Sequence, residues 1–294
     1  MKLVTYRGAD GERPGIQHDD GQVVDTARAA SRADIEMPDR SVTNRDVVSL
    51  DAQALTRLAS AAQDESPVAF TSLGPPVTNP EKIVCLGLNY IDHAEEVGAS
   101  PPASPMFFAK FPNSLAGPAD DIVPPRTTRQ VDYEAELALV IGRPGRYIDP
   151  RDAWSYIAGA MALNDVSARD LQLANPLWTS GKAVDTFAPC GPALVTLDEL
   201  GDPQNLRIGT RINGTTVQDG TTASMIFPIP TIISFLSEVM TLRPGDIIAT
   251  GTPAGVGVSR DPQLFLSPGD IVEVEIERIG ILCNRIAPAG SADA

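Results

Sequence analysis

The stretch Val131-Asp132-Tyr133-Glu134-Ala135-Glu136-Leu137-Ala138-Leu139-Val140-Ile141 sets an acid at every second position and then turns wholly apolar. Side chains on a strand alternate between faces, so one strand over 131–141 predicts Asp132, Glu134 and Glu136 together on one side. A solvated edge is the default for such a face, because charged residues mostly lie outside. Against that default, Leu137–Ile141 is apolar on both faces and reads as a central strand. Like carboxylates side by side on a buried strand repel one another and lose hydration, and a divalent cation relieves both. A third acid, Asp165, ends the small-residue β run Ala158-Gly159-Ala160-Met161-Ala162, where a carboxylate can emerge into a cleft. Glu134, Glu136 and Asp165 together make a hard-oxygen set suited to Mg²⁺ or Mn²⁺, with Ca²⁺ as a further occupant.

Histidine is scarce. His18 lies in a polar hairpin-like loop and is given no role, whereas His93 lies in Leu88-Asn89-Tyr90-Ile91-Asp92-His93-Ala94-Glu95-Glu96. In a helix His93 and Glu96 stand at i, i+3 and touch. A carboxylate on one ring nitrogen sets the tautomer and leaves the other free as a base. A surface histidine beside acids is the rival reading. Two histidines exclude an HExxH-type zinc site. The widely spaced Cys85, Cys190 and Cys283 form neither a thiolate zinc site nor a disulfide framework. Lys182 sits in a small-residue, loop-like context where a lone surface lysine is the default.

The elements that must position these residues follow from composition and pattern. The chain has 294 residues, enough for about two domains. A formal net charge of −15 argues against general nucleic-acid or membrane-surface binding. With 24 glycines, 26 prolines and 5% aromatics, the composition reads as a turn-rich β or α+β protein. No apolar run is long enough for a transmembrane helix, and the N-terminus lacks a signal-peptide core, which gives a cytoplasmic location as the expectation.

Residues 1–72 read as a small N-terminal unit containing a helix over Ala52–Ala62, followed by a Pro-rich linker at 73–80. Residues 81–286 read as a second unit of short strands and turns, and 287–294 as a flexible tail. Within the second unit, strands are predicted at Ile83–Gly87, Met106–Phe111, Val131–Ile141, Tyr156–Leu163, Leu206–Ile212, Asp246–Thr250 and Ile271–Glu277, with one helix at Thr231–Met240. Asn213-Gly214 marks a type I′ hairpin. No glycine-rich phosphate loop follows a strand, which disfavours a doubly wound nucleotide-binding fold.

These pieces occur in an order that resembles the fumarylacetoacetate hydrolase family, most closely its acylpyruvate hydrolase and oxaloacetate decarboxylase members, over roughly 75–286. The carrying motifs are Gly87-Leu88-Asn89-Tyr90 with His93, Phe108-Ala109-Lys110-Phe111-Pro112, Asp132 through Leu137, Asn164-Asp165-Val166-Ser167-Ala168-Arg169-Asp170-Leu171-Gln172, Lys182 through Pro189, and Ala249-Thr250-Gly251-Thr252-Pro253. The resemblance implies an α+β, predominantly β fold: a mixed β-sandwich or roll catalytic domain with a small N-terminal α/β domain, assembled as a homodimer. It implies Glu134, Glu136 and Asp165 as metal ligands, His93 with Glu96 as a water-activating dyad, and Lys182 as the active-site lysine. Arg169, Gln172, Lys110, Gly251 and Thr252 fall where members hold the substrate. Some relatives carry an Asp in place of Asn89, so no fourth carboxylate ligand is expected.

The implied activity is divalent-metal-dependent C–C hydrolysis of 2,4-dioxo acids of the acylpyruvate or fumarylpyruvate type, through a pyruvate enolate whose charge the cation absorbs. Oxaloacetate decarboxylation and isomerisation or decarboxylation of a 2-hydroxy-dienedioate use the same enolate. A noncatalytic binding protein stabilised by a cation is the rival from another class. In each enzymatic case the partner is a small anionic 2-oxo or 2,4-dioxo acid, drawn in by local positive charge against the −15 background.

Overall fold

The apolar run after Glu136 is buried at every position from Ala135 to Ile141, as its lack of a polar face requires. The computed structural model describes residues 1–38 and 41–291. Its N-terminal strands are β1 (Lys2–Gly8), β2 (Gly11–Gln17), β3 (Val23–Asp25) and β4 (Ser72–Gly74). Then come β5 (Ile83–Gly87), β6 (Met106–Lys110), β7 (Leu115–Ala116), β8 (Val131–Asp132), β9 (Ala135–Ile141), β10 (Ile157–Asn164), β11 (Ser167–Ala168) and β12 (Ala188–Thr196). The last are β13 (Arg207–Ile212), β14 (Thr215–Thr221), β15 (Ile247–Ala249), β16 (Ile271–Ile276) and β17 (Gly280–Arg285).

A large mixed sheet runs β3-β2-β1-β12-β10-β9-β15-β5-β6, and a four-stranded antiparallel sheet runs β14-β13-β16-β17. Strand β9 lies in the interior of the large sheet, between β10 and β15. Its Leu137, Leu139 and Ile141 pack with Ile232, Ile233 and Leu236 of the helix Ile229–Val239 and with Val274 and Ile276 of the second sheet. Ala138 and Val140, on the other face, pack with Val47, Ala54 and Leu58 of the N-terminal helices. Both faces are therefore covered. The N-terminal strands belong to this same large sheet, because Lys2 and Leu3 of β1 pair with Val195 and Leu194 of β12.

Most predicted elements appear with ends shifted by a residue or two. The hairpin at Asn213-Gly214 forms with φ of 51° and 80°, the left-handed pair a type I′ turn needs. Two expectations are corrected. The predicted strand over 131–141 is two pieces, β8 and β9, broken at Tyr133-Glu134. There the Glu134 N–H donates to the Asn164 side chain instead of to a neighbouring strand. The alternation rule does not carry across the break, and Asp132 stands outside the cluster that Glu134 and Glu136 form with Asp165. The predicted flexible tail is anchored as far as it is described: Ala287 N–H donates to Ile122 O and Gly290 N–H to Pro124 O. Residues 292–294 of that tail lie outside the described residues.

Strand β10 carries the chain to Asp165, and its small residues let β12 approach closely. A Cβ built on Gly159 would stand 2.2 Å from the backbone oxygen of Val195. Gly159→Ala is therefore expected to destabilise the fold by about 2–3 kcal/mol and to lower Tm by several degrees; an unchanged thermal melt would contradict this packing.

Candidate active site

Glu136 opens the regular part of β9 opposite Leu163 of β10, and Asn164 pairs with Ala135. The pairing extends one step further, because Asp165 N–H donates to Glu134 O at 2.9 Å. Antiparallel pairing thus brings Asp165 beside Glu134 and Glu136 despite their separation in sequence. One oxygen from each of the three carboxylates lies within 4.8 Å of the others, and all three side chains are buried.

Cationic side chains crowd this cluster. Lys182 Nζ lies 2.8 Å from Glu134 Oε2 and 2.7 Å from Asp165 Oδ2. Lys110 Nζ, fully buried, donates to Asp165 Oδ1 at 2.5 Å and to Val166 O at 3.1 Å. Arg169 donates from Nη2 to Glu134 Oε1 at 2.6 Å, from Nε to Asp132 Oδ2 at 2.8 Å and from Nη1 to Gln172 Oε1 at 2.9 Å. Asp132 also accepts the backbone N–H groups of Gly257 and Val258, so its work is to hold Arg169 and the loop around residue 257.

Glu136 is the exception. Among the described residues its only hydrogen-bond donor is the Gly251 N–H, at 2.7 Å, and no lysine or arginine pairs with it. Burial, then Asp165 and Glu134, push its pKa well above the usual carboxylate range. Burial also acts on Glu134, but Lys182 and Arg169 outweigh it and hold that pKa below the usual range. Burial pulls Lys182 down, yet Asp165 and Glu134 outweigh it, so the side chain stays an ammonium ion at neutral pH. The fit to a divalent cation rests on Glu136: a buried carboxylate without a cationic partner, converging with two others on a set of oxygens only. Glu134, Glu136 and Asp165 are the residues that would hold the ion.

His93 Nδ1 lies 3.1 Å from Glu96 Oε2 on the short helix Ile91–Glu96. Glu96 is itself fixed by the Gly255 N–H at 2.8 Å. The carboxylate accepts a hydrogen bond from Nδ1–H, which leaves Nε2 as the nitrogen with a free lone pair. His93 shares one cavity of about 280 Å³ with Glu134 and Glu136 of the cluster. Its charged and polar lining comprises Glu134, Glu136, Arg169, Gln172, Lys182, His93 and Thr252. Apolar lining comes from Leu86, Val97, Phe108, Leu173, Trp178 and Val258. Lys182 Nζ lies 5.0 Å above the Phe108 ring, which packs edge-on against Trp178.

Most of the expected site residues meet here, with two placed differently from expectation. Lys110 does not line the cavity; it is bound to Asp165 behind the cluster. The Gly251 N–H is occupied by Glu136, so this residue positions a carboxylate instead of facing a substrate. Gly251 has φ of 98° and a Cβ there would stand 2.9 Å from Asn89 Cβ, so glycine is what lets the N–H reach Glu136. Asn89 serves structure: its side chain donates to Thr250 O and accepts from Phe227 N–H. Asn164, which holds the backbone at Glu134, falls in a quoted motif without a role, and Gln218, which holds Ala135, falls in none. No local pattern distinguishes a buried amide from a solvated one.

Residues 82–287 match the family profile described as fumarylacetoacetate (FAA) hydrolase C-terminal. The chain belongs to the fumarylacetoacetate hydrolase family. Among curated relatives it is 41% identical to the mitochondrial oxaloacetate tautomerase Fahd2a of Rattus norvegicus, over 97% of this chain and 91% of that one. It is 46% identical to the mitochondrial oxaloacetate tautomerase FAHD2A of Homo sapiens, over 79% and 75%. Among solved structures, a fumarylacetoacetate hydrolase from Exiguobacterium antarcticum superposes with a TM-score of 0.82 at 33% identity, covering 98% and 99% of the two chains. A 5-carboxymethyl-2-hydroxymuconate delta-isomerase from Mycobacterium smegmatis superposes at 0.76 with 32% identity, covering 99% and 100%. The fold is that of fumarylacetoacetate hydrolase-family enzymes, α+β with strands predominating.

The raised Glu136 pKa gives this family member a pH signature. A carboxyl whose folded-state pKa is raised contributes stability that is present below its unfolded pKa and lost as pH rises through the folded one. A divalent cation binds the ionised form and offsets that loss. The gain in Tm on adding Mg²⁺ or Mn²⁺ is therefore expected to grow from about pH 5 to about pH 9, and Glu136→Gln is expected to flatten the trend. Equal gains across that range in a thermal-shift series would refute the account.

Proposed function

We propose that this chain catalyses proton transfer at C3 of 2-oxo acids, the keto–enol tautomerisation of oxaloacetate being the reaction suggested by its relatives' names. The observation that carries the reading is His93, oriented by Glu96, which lines one cavity with Glu134, Glu136 and Lys182. A purely structural cation site would need neither that pair nor a cavity.

The substrate is an anion in a chain of net charge −15, so local cations must attract it. Lys182 and Arg169 provide them at the cavity wall. A divalent cation held by Glu134, Glu136 and Asp165 would add positive charge where the 2-oxo acid's oxygens lie and favour the enolate. His93 Nε2 takes a proton from C3. The C–H electron pair becomes the C2–C3 double bond, and negative charge moves to the C2 oxygen. Lys182, kept as an ammonium, faces that charge as it develops. The enolate oxygen takes a proton from water and the imidazolium of His93 returns its proton to water, giving the enol with no net change in protons, and the reverse sequence returns the ketone. Gln172 and Thr252 supply hydrogen-bonding groups for the carboxylate end.

A second reading is favoured by the same dyad and by the apolar part of the cavity. With a 2,4-dioxo acid, His93 takes a proton from water and the hydroxide adds to C4. The C3–C4 bond then breaks with its electrons on C3, releasing a carboxylic acid and the enolate of pyruvate, which recovers the proton from His93 at C3. Phe108, Leu173 and Trp178 offer a surface for an acyl substituent at C4.

The test is turnover by the purified chain with Mg²⁺ or Mn²⁺, following loss of enol absorbance for oxaloacetate and bond cleavage for acetylpyruvate and fumarylpyruvate. His93→Ala is expected to lower kcat by about 10²–10⁴-fold, the usual range for a general base. Tautomerisation without cleavage selects the first reading and cleavage selects the second. Acceleration of neither reaction would sink both.

A further inference from the structure

Gln218 lies on β14 of the second sheet, yet its buried side chain reaches both the backbone between Glu134 and Glu136 and the cavity residue Thr252. Its Oε1 accepts from the Ala135 N–H at 3.0 Å and from Thr210 Oγ1 at 2.7 Å. Its Nε2 donates to Thr252 Oγ1 at 2.8 Å and to Pro253 O at 2.9 Å. The orientation of the amide is unambiguous, because a backbone N–H demands the oxygen and a backbone carbonyl demands the nitrogen.

Both contacts bear on the chemistry. Ala135 stands between Glu134 and Glu136, at the point where the strand resumes after its break. The Gln218 oxygen replaces the strand partner that this N–H would otherwise have. Thr252 lines the cavity, and a hydroxyl has one proton and two acceptor sites. Since Thr252 Oγ1 accepts from Gln218 and has no protein acceptor among the described residues, its proton is left to be donated into the cavity.

We infer that Gln218 is a positioning residue that holds two metal-ligating glutamates in register and turns the Thr252 hydroxyl into a donor for the substrate carboxylate. The Thr252 half rests on the proposed reaction, whereas the Ala135 half depends only on cation binding.

The test uses Gln218→Met, close in volume and without amide groups, together with Thr252→Val and the double variant. Mn²⁺ affinity of Gln218→Met, measured by calorimetry without substrate, is expected to fall roughly tenfold, and KM for oxaloacetate to rise roughly tenfold with kcat changed much less, the size of one hydrogen bond to a charged group. In the double variant KM is expected to stay within about twofold of Thr252→Val alone, because both substitutions remove one interaction. A merely structural role predicts penalties that multiply. That result, or Mn²⁺ affinity within about twofold of wild type, overturns the inference. Should Gln218→Met not fold, Gln218→Glu is read in its place; it offers at most one donor where the amide offers two, and an unchanged KM there is equally fatal. Wild-type protein that binds Mn²⁺ but turns over neither oxaloacetate nor acetylpyruvate overturns the proposed reaction, and the Mn²⁺ measurement still decides the role at Ala135.

Discussion

Three carboxylates buried within a few ångströms of each other must be matched by positive charge, and the arrangement of the site follows from that demand. Coulombic repulsion and lost hydration act together at such a point, and neither backbone packing nor apolar burial offsets them. Lys110 and Lys182 meet Asp165, while Lys182 and Arg169 meet Glu134. Arg169 must also serve Asp132, so among the described residues Glu136 is left with no cation of its own. A divalent ion held there would correct that deficit and make the cluster's local charge positive.

The large sheet supplies rigidity for this balance, and the departures from regular sheet structure supply the function. Strand β9 is buried on both faces, and β10 beside it carries Asp165 to the same level. Glu134 and Asp165 stand just outside the two strands, where backbone groups are freed to bond side chains such as Asn164. The loop from Gly251 to Val258 then closes around the cluster. Its N–H groups at Gly251, Gly255 and Gly257 bind Glu136, Glu96 and Asp132 in turn. One glycine-rich loop therefore orients a metal-ligand candidate, the partner of the base and the anchor of Arg169.

The second sheet is more than a cover for the core. Its face packs on Leu137, Leu139 and the helix Ile229–Val239, and Gln218 on its edge strand threads into the site. The geometry of the site thus depends on the relative seating of two sheets as well as on the strands that bear the acids. Such coupling through packed cores is stiff, because interiors are dense and small displacements are resisted.

Much of the site was legible in the chain. Acids at alternate positions before an unbroken apolar run pointed to buried carboxylates, since Leu137–Ile141 has no polar face to offer solvent. The i, i+3 spacing of His93 and Glu96 was enough to pair them, and Asn213-Gly214 was enough to predict its hairpin, because both relations are local. Where inference depended on regularity continuing, it failed: the strand breaks at Tyr133-Glu134 and Asp132 stands outside the cluster, and Ala287 and Gly290 are held by hydrogen bonds to residues far back in the chain.

Local sequence determined residue chemistry, periodicity and turn type, because these arise within a few residues through sterics and hydrogen bonding. Only the tertiary structure decided which charges meet. Lys110 became the partner of buried Asp165, Gly251 became the clamp on Glu136, and Gln218 joined Ala135 to Thr252. Each of these contacts spans tens of residues, and its existence depends on how sheets stack and loops close, which the spacing of residues along the chain does not encode.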